Sequence, residues 1–349
     1  MLLETSDSDE LAGFLQSLHM PGAVLMACSD KWTLAVAGLP PGTRQRYPAS
    51  VAPREVIEEF IDKDRFRSLV DRLGIPYPQS LPLRGPADLD LVTDADLASG
   101  FLKPTDSQRH YLRYGTKGFF IPTRSAAARL IEQAGAAGIT FQLEEWIPGN
   151  TSKLVQIDGF VDRGGAITAM LARRRVRMEP PRIANTASSV TIPLAEVSEA
   201  AAGVRKLLAE VGYRGIFSAE FKFDERDRQF KIIEVNARPY WYIAHAAAAG
   251  VDLAWMSYLD AQELPVPPPA PYRTGKYGLY EIADAAALLR AWTSFHRPEG
   301  AVLEPWLRGD HALFWWSDPL PAVFDVWRAL RRKVRGTLGR FRRATKRAA

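Results

Sequence analysis

The 349-residue chain has a single cysteine, Cys28, and no long apolar run. One cysteine excludes an intramolecular disulfide and favours a reducing, intracellular compartment, so we expect a cytoplasmic protein. No stretch approaches the roughly 20 uninterrupted apolar residues that a membrane-spanning helix needs. The acidic start, MLLETSDSDELAGF, lacks the apolar run of a signal peptide. Cys28 lies in the apolar stretch 21–30, and we interpret it as a core residue.

Acidic residues are missing from the end of the chain. Ten Lys and Arg residues, and no Asp or Glu, lie between Arg328 and Ala349. The overall net charge is +5, so residues 1–327 carry −5. A mildly acidic body argues against a nucleic-acid partner. The basic segment 328–349 carries apolar residues at helical spacing, which suits peripheral contact with the inner face of a membrane, and a solvated tail fits the same pattern.

Turn signals and apolar spacing organise the rest of the chain. The apolar stretch 21–30 follows a Pro-Gly turn and predicts a buried strand. Over residues 52–78, apolar residues recur at spacings of three and four, which predicts a helix that a glycine and two prolines end. Residues 215–238 predict two strands joined by the charged turn DERDRQ. The linker PVPPPAP, residues 265–271, marks the clearest boundary.

Polar side chains alternate with apolar ones in KIIEVNARP, residues 231–239. Residues two apart in an extended strand share a face, so Glu234, Asn236 and Arg238 project together. If the preceding strand SAEFKFD pairs with this one, Glu220 approaches Glu234. Two carboxylates and an amide are hard oxygen ligands that suit Mg²⁺, and a neighbouring arginine suits a transferring phosphoryl group. A half-exposed strand with a solvated polar face gives the same alternation.

Four blocks of the sequence resemble, in order, blocks of the ATP-grasp enzymes. FSAEFKFDERDRQFKIIEVNARP is similar to the family's metal-binding segment, DKDRFRSLVDRLGIPYP to its first helix, GFLKPTDSQ to its phosphate-contacting strand and FQLEEWIPG to its hinge strand. The resemblance covers residues 55–260. It implies an α/β (α+β) ATP-grasp fold in which two α/β subdomains grip ATP. The units it implies are a reduced N-terminal nucleotide-fold-like unit over 1–60, the ATP-grasp domain over 61–265, a small C-terminal subdomain over 266–327 and a basic amphipathic tail over 328–349.

The resemblance also implies the residues that hold ATP and a metal ion. The lysines that contact the phosphates are Lys63, Lys103 and Lys117. The hinge, whose backbone and acid support the adenine, comprises Glu144, Glu145, Trp146 and Ile147. The two ribose positions are Asn150 and Lys153. The implied ligands of Mg²⁺, or of Mn²⁺ in its place, are Glu220, Glu234 and Asn236.

Within the superfamily, the chain resembles stand-alone carboxylate–amine ligases of the D-aspartate-ligase-like type. ARRRVRMEPPRIANTASSV, residues 172–190, is similar to their basic hairpin followed by Pro-Pro and small residues. The match implies that Arg175 and Arg177, with Arg238, bind substrate, because an arginine can hold a carboxylate with two parallel hydrogen bonds. Arg175, Asn236 and Arg238 are the implied catalytic residues. A solvated basic hairpin also fits the arginines.

The implied reaction joins a small-molecule carboxylate to an amine through an acyl phosphate, with release of ADP and phosphate. The protein then mainly positions the reactants and neutralises charge. Two alternatives stay open: a catalytically silent ATP-grasp nucleotide-binding module, and kinase-like phosphoryl transfer to a non-carboxylate substrate. The lid stretch TDSQRHYLRYGTKGFF, which has only two glycines, favours the first alternative. The oligomeric state is open as well, with a homodimer among the options.

Overall fold

A computed structural model describes residues 7–106, 110, 113–121, 123–180, 185–315, 317–328 and 331. The strands are β1 Ser80–Leu83, β2 Gly100–Pro104, β3 Phe141–Glu145, β4 Leu154–Val161, β5 Ile167–Glu179, β6 Asn185–Ile192, β7 Gly215–Asp224, β8 Gln229–Asn236, β9 Tyr277–Leu279 and β10 Asp310–His311. They form a three-stranded sheet in the order β1-β3-β2 and a seven-stranded sheet in the order β10-β9-β6-β5-β4-β7-β8.

Helices surround both sheets. Their bounds are Ser8–Leu18, Asp30–Ala37, Pro41–Arg46, Arg54–Ile61, Lys63–Arg72, Asp94–Ser99, Arg124–Gly135, Ser198–Glu210, Ile243–Ala248, Leu253–Ala261, Glu281–Thr293 and Leu303–Arg308. Residues 320–328 are also helical. Within the described part of the chain, no helix is long and apolar enough to cross a membrane.

The apolar stretch 21–30 does not form the strand that its sequence predicts. Residues 21–30 have no regular structure before a helix begins at Asp30, and the backbone N–H of Leu25 donates to the carbonyl of Pro48 at 2.9 Å. The predicted buried strand is therefore wrong. So is the core assignment of Cys28, whose side chain is exposed. Leu25 and its neighbours pack against short helices, so this apolar stretch finds cover without a partner strand.

The helix predicted over residues 52–78 is two helices that break at Asp62. This residue has extended backbone, with φ −75° and ψ 119°. Its carboxylate accepts hydrogen bonds from the backbone N–H groups of Asp64, at 2.9 Å, and Arg65, at 3.0 Å. These are the bonds of a helix N-cap. The break makes Lys63 the first residue of the second helix, at the edge of the cleft between the sheets.

The seven-stranded sheet has an apolar face and a face that carries charge. Val155 and Ile157 of β4 point into the core beneath the helix Ser198–Glu210. Side chains alternate along a strand, so Gln156 and Asp158 point to the opposite face. That face is polar beside β7 and β8. The smaller sheet has its own core against the helix Arg124–Gly135, and β3 runs from it toward β4.

The residues after the proline-rich linker extend the large sheet. β9 pairs antiparallel with β6, and β10 pairs parallel with β9. On β5, Arg177 contacts Asp284 of the C-terminal subdomain, with Nε to Oδ1 at 2.6 Å and Nη2 to Oδ2 at 2.9 Å. Asp284 also accepts from the hydroxyl of Ser188 and the indole N–H of Trp306. Both charged side chains are buried.

The position of Arg177 corrects its predicted role in substrate binding. A β-bulge lies between Arg175 and Arg177, so the two residues oppose Ser189 and Ser188 respectively. Neighbouring residues of a strand face opposite sides of the sheet, and the extra residue of the bulge therefore turns Arg177 away from Arg175. Arg177 fastens the C-terminal subdomain to the sheet.

We predict that Asp284→Ala lowers the free energy of unfolding by about 3–5 kcal/mol, because it leaves the buried guanidinium of Arg177 without a counter-charge. Removing both charges, in Arg177→Met with Asp284→Leu, should cost much less. The measurement is urea denaturation followed by circular dichroism.

The matched control is Glu58→Ala. It removes one partner of a surface ion pair, in which Arg54 Nε lies 3.0 Å from Glu58 Oε1. It should change stability by less than about 1 kcal/mol. Equal losses in Asp284→Ala and in this control would contradict the role assigned to the buried pair.

Candidate active site

β7 and β8 pair antiparallel, and their register sets Glu220 directly opposite Glu234. Asn236 lies opposite Ser218 on the same face, since directly opposed residues and residues two apart share a face. Val235 points into the apolar core. The predicted pairing of the two strands is confirmed, and it brings two carboxylates and an amide to one place.

Positive charges surround the carboxylate of Glu234. Burial raises its pKa, but the nearby ammonium groups of Lys63, Lys103 and Lys117 lower it to about 2. Burial and the charge of Lys103 lower the pKa of Lys63. Burial also disfavours the charged form of Lys103, but Glu144 and Glu234 outweigh it and raise the pKa of that group. The charges of the three predicted phosphate lysines therefore all act on the carboxylate of Glu234.

Lys103 and Glu144 form an ion pair on the small sheet. The Lys103 Nζ lies 2.8 Å from Oε2 and 3.1 Å from Oε1 of Glu144. Glu144 also accepts a hydrogen bond from Gln142 Nε2 at 2.9 Å. Lys103 and Gln142 are opposed in register on β2 and β3, so the sheet fixes this group. Lys117 belongs to the lid stretch, of which residues 107–109, 111 and 112 lie outside the described residues.

Arg175 of β5 contacts the carboxylate of Glu220 on β7. Its Nη2 donates to Glu220 Oε2. Gln156 of β4 lies between these strands, and in the amide orientation that satisfies its neighbours, its oxygen accepts from Arg175 Nε at 2.7 Å. The predicted substrate and metal residues of β5 and β7 are therefore in direct contact.

Arg238, two residues beyond the end of β8, links that strand to the N-terminal part of the chain. Its Nη2 donates to Asn236 Oδ1 at 3.0 Å, and its Nε donates to Asp30 Oδ1 at 2.6 Å. Asp30 is the first residue of a helix that lies 208 residues earlier in the chain. Sequence reasoning missed it, because no local signal connects it with β8.

The donor set fits a magnesium ion. Glu220, Glu234 and Asn236 offer oxygen atoms on one face, and Mg²⁺ uses few protein ligands when phosphate oxygens complete its shell. Among the described residues, no three His, Cys, Asp or Glu side chains are arranged around a metal position. The assignment of Glu220, Glu234 and Asn236 to a metal ion stays a prediction.

The hinge at the end of β3 is fastened to the β7–β8 pair. Lys222 Nζ donates to the carbonyl of Ile147 at 2.6 Å and lies 4.5 Å from the ring centroid of Trp146. Burial, with the charge of Arg175, lowers the pKa of Lys222 to about 8. Glu145 pairs with Arg226 in the β7–β8 turn. Lys222 was also missed, although it is two residues beyond Glu220 and alternation places it on the same face.

The two predicted ribose residues lie just beyond the hinge. Lys153 Nζ is 2.5 Å from Glu225 Oε1, and Asn150 Oδ1 accepts from the hydroxyl of Ser152 at 2.7 Å. Their contact with a ribose stays a prediction.

Comparison with known proteins gives one sequence relative. No protein-family model matches the chain. It is 22% identical over 223 residues to D-aspartate ligase from Enterococcus faecium strain Aus0004, a match that covers 62% of this chain and 53% of the ligase. The chain thus matches about half the length of this curated relative.

Solved structures give closer likeness in shape. N5-carboxyaminoimidazole synthetase from Staphylococcus aureus, complexed with ADP, superposes with a TM-score of 0.60 at 14% identity, over 84% of this chain and 74% of that one. The biotin carboxylase domain of the 2-oxoglutarate carboxylase from Hydrogenobacter thermophilus, complexed with MgADP, gives 0.62 at 16% identity, over 77% and 60%.

The two sheets, the hinge between them and these neighbours define the ATP-grasp fold, and the predicted fold class is confirmed. The sequence itself is similar to that of D-aspartate ligase over 223 residues.

We predict that the stability conferred by Lys222 depends on pH. Its folded-state pKa, about 8, is below the ordinary 10.5, so the folded protein binds fewer protons than the unfolded chain between these values. The free energy of unfolding of the wild type should therefore rise with pH across that window, relative to Lys222→Met. Urea denaturation below pH 8 and near pH 10.5 measures the difference.

Lys206→Met is the matched control, because Lys206 Nζ also donates to a backbone carbonyl, that of Leu73, at 2.6 Å. A pH dependence shared by both variants would show that the effect does not belong to Lys222.

Proposed function

We propose that this chain is an ATP-dependent carboxylate–amine ligase. The observation that carries the proposal is the pairing of β7 with β8, which sets Glu220 opposite Glu234. The charges of Lys63, Lys103 and Lys117, which lower the pKa of Glu234, support it. Ammonium groups would neutralise the phosphates of ATP, and the carboxylates would bind the metal ion that accompanies them. The chain's similarity to D-aspartate ligase supports the same reaction class.

The site residues divide between ATP and the acid. Lys63 and Lys103 would hold phosphate oxygens, while Glu220, Glu234 and Asn236 would hold Mg²⁺, with Mn²⁺ sharing the preference for oxygen ligands. When bound there, the ion would supply positive charge that neutralises the charge developing during phosphoryl transfer. The hinge residues Glu144 to Ile147 border the space for the base.

The arginines serve the acid substrate. Arg175 and Arg238 would bind its carboxylate and the phosphoryl oxygens that it acquires. Glu220 and Asp30 pair with these two guanidinium groups and hold them in the site. Positioning of the reactants and electrostatic stabilisation of the transferring group are the main contributions that such a protein makes.

The reaction proceeds in two balanced steps. The substrate carboxylate attacks the γ-phosphorus of ATP, and ADP leaves as the acyl phosphate forms. The amine then attacks the acyl carbon, loses a proton and expels phosphate. No protein nucleophile is needed. D-aspartate is the first acid to test, because the relative's name specifies it.

One observation favours the catalytically silent nucleotide-binding module. The Glu220 carboxylate is already paired with Arg175, and the amide oxygen of Asn236 already accepts from Arg238. A metal ion has to displace both contacts, so a protein that only binds nucleotide is consistent with the same geometry.

We expect release of ADP and phosphate from Mg²⁺-ATP only when both an acid and an amine are present. Glu234→Gln should reduce turnover at least about a hundredfold, since the neutral amide removes a charged metal ligand. The measurement is a coupled ADP assay with amino acids and small amines, and the product is identified by mass spectrometry.

Glu210→Gln is the control, because Glu210 pairs with Arg72, at 3.5 Å, and neither residue belongs to the proposed site. Nucleotide binding without acid- and amine-dependent ADP release would instead support the silent module. ADP release with an acceptor but no amine would indicate kinase-like transfer.

We also expect Lys103→Met to weaken ADP binding by about ten- to a hundredfold, because a charged hydrogen bond is worth about 1.5–3 kcal/mol. Isothermal titration calorimetry measures the affinity, and Lys276→Met, which alters a lysine paired with Asp310, should bind like the wild type. Unchanged affinity in Lys103→Met would contradict its role at the phosphates.

A further inference from the structure

One helix of the C-terminal subdomain buries an acid and exposes large apolar side chains. In Glu281–Thr293, Asp284 is fully buried against Arg177. On the outer side, Leu289 is 52% and Trp292 is 76% exposed. An amphipathic helix ordinarily buries its apolar side chains and exposes its charged ones. In this helix the contact of Asp284 with Arg177 has determined which side faces the protein.

The helix over residues 320–328 repeats this inverted arrangement. Asp325 is buried and accepts a hydrogen bond from the hydroxyl of Tyr280 at 2.6 Å. Four apolar residues at helical spacing face outward with 47–72% of each exposed, and we call them the C-terminal apolar stripe: Leu320, Val323, Phe324 and Trp327. Exposed apolar groups at this density mark an interaction surface.

Basic residues border the stripe and continue beyond it. Arg328 pairs with Asp325 at 3.0 Å, and the guanidinium of Arg331 lies 4.5 Å from the ring centroid of Trp327. The ten basic residues of segment 328–349 begin at this point, and no acid follows. An apolar face rich in aromatic rings beside a dense positive charge is typical of proteins that lie on anionic lipid surfaces.

We propose that the C-terminal apolar stripe, with Arg328 and Arg331 beside it, docks the protein on an anionic lipid surface. Most of segment 328–349 lies outside the described residues and adds its positive charge. The aromatic side chains enter the boundary between headgroups and acyl chains, and the basic residues contact the anionic headgroups. Two stripes from two copies would bring two segments of ten positive charges together, which electrostatic repulsion disfavours. A lipid surface satisfies both features without that cost.

The test is flotation of the full-length protein with vesicles of phosphatidylcholine alone or with added phosphatidylglycerol. We expect binding only to the anionic vesicles. Phe324→Ser with Trp327→Ser should reduce that binding at least about tenfold, because two exposed rings lose their apolar contact. Substituting four basic residues by glutamine should also reduce it at least about tenfold: Arg342, Arg343, Lys346 and Arg347.

The matched control is Trp255→Ser with Tyr258→Ser, since these stacked rings, 5.2 Å apart, are similarly exposed on another helix. It should bind like the wild type, and circular dichroism confirms that each variant is folded. The proposal is overturned if the wild type floats with neither vesicle, or if the Phe324/Trp327 variant binds like the control. It is equally overturned if, without lipid, the wild type self-associates through these two residues.

Discussion

The pairing of β7 with β8 is the constraint on which the site depends. It sets Glu220 directly opposite Glu234, and two like charges in that position destabilise the fold unless cations compensate them. The cations come from elements far apart in the chain: Lys63 from a helix start, Lys103 from the small sheet and Arg175 from β5. The charge balance of one strand pair therefore holds the two sheets in position around the cleft.

The compensating pairs explain why this arrangement suits anionic ligands. Lys103 contacts Glu144, Arg175 contacts Glu220 and Arg238 contacts Asp30. Each cation is satisfied by a protein carboxylate, so an incoming phosphate or carboxylate group exchanges one charged partner for another. Such an exchange keeps each cation paired, while the displaced carboxylates would need the positive charge of a bound metal ion.

Local patterns predicted the strand pairs but not the details that orient side chains. Period-two alternation identified Glu234, Asn236 and Arg238, because pleating decides their face wherever the strand lies. The bulge after Arg175 could not be seen in the sequence, and it alone turned Arg177 away. The apolar run around Cys28 predicted a strand, but a strand needs a partner, and which segments become neighbours is a tertiary property. The contact of Arg238 with Asp30 is tertiary in the same sense.

The C-terminal helices show that the tertiary neighbours of a helix are as difficult to read from the sequence as those of a strand. Periodicity shows that Phe324 and Trp327 share a stripe but not whether the stripe faces the protein. Here the opposite side docks, through the hydrogen bond of Asp325 with Tyr280. One hydrogen bond is worth about 1 kcal/mol net, whereas burying each large apolar side chain is worth about 1.5–3 kcal/mol. The bond therefore cannot by itself outweigh a stripe left in water. The orientation is reasonable energetically when another apolar medium covers the stripe, and the basic segment beside it selects an anionic lipid surface for that medium.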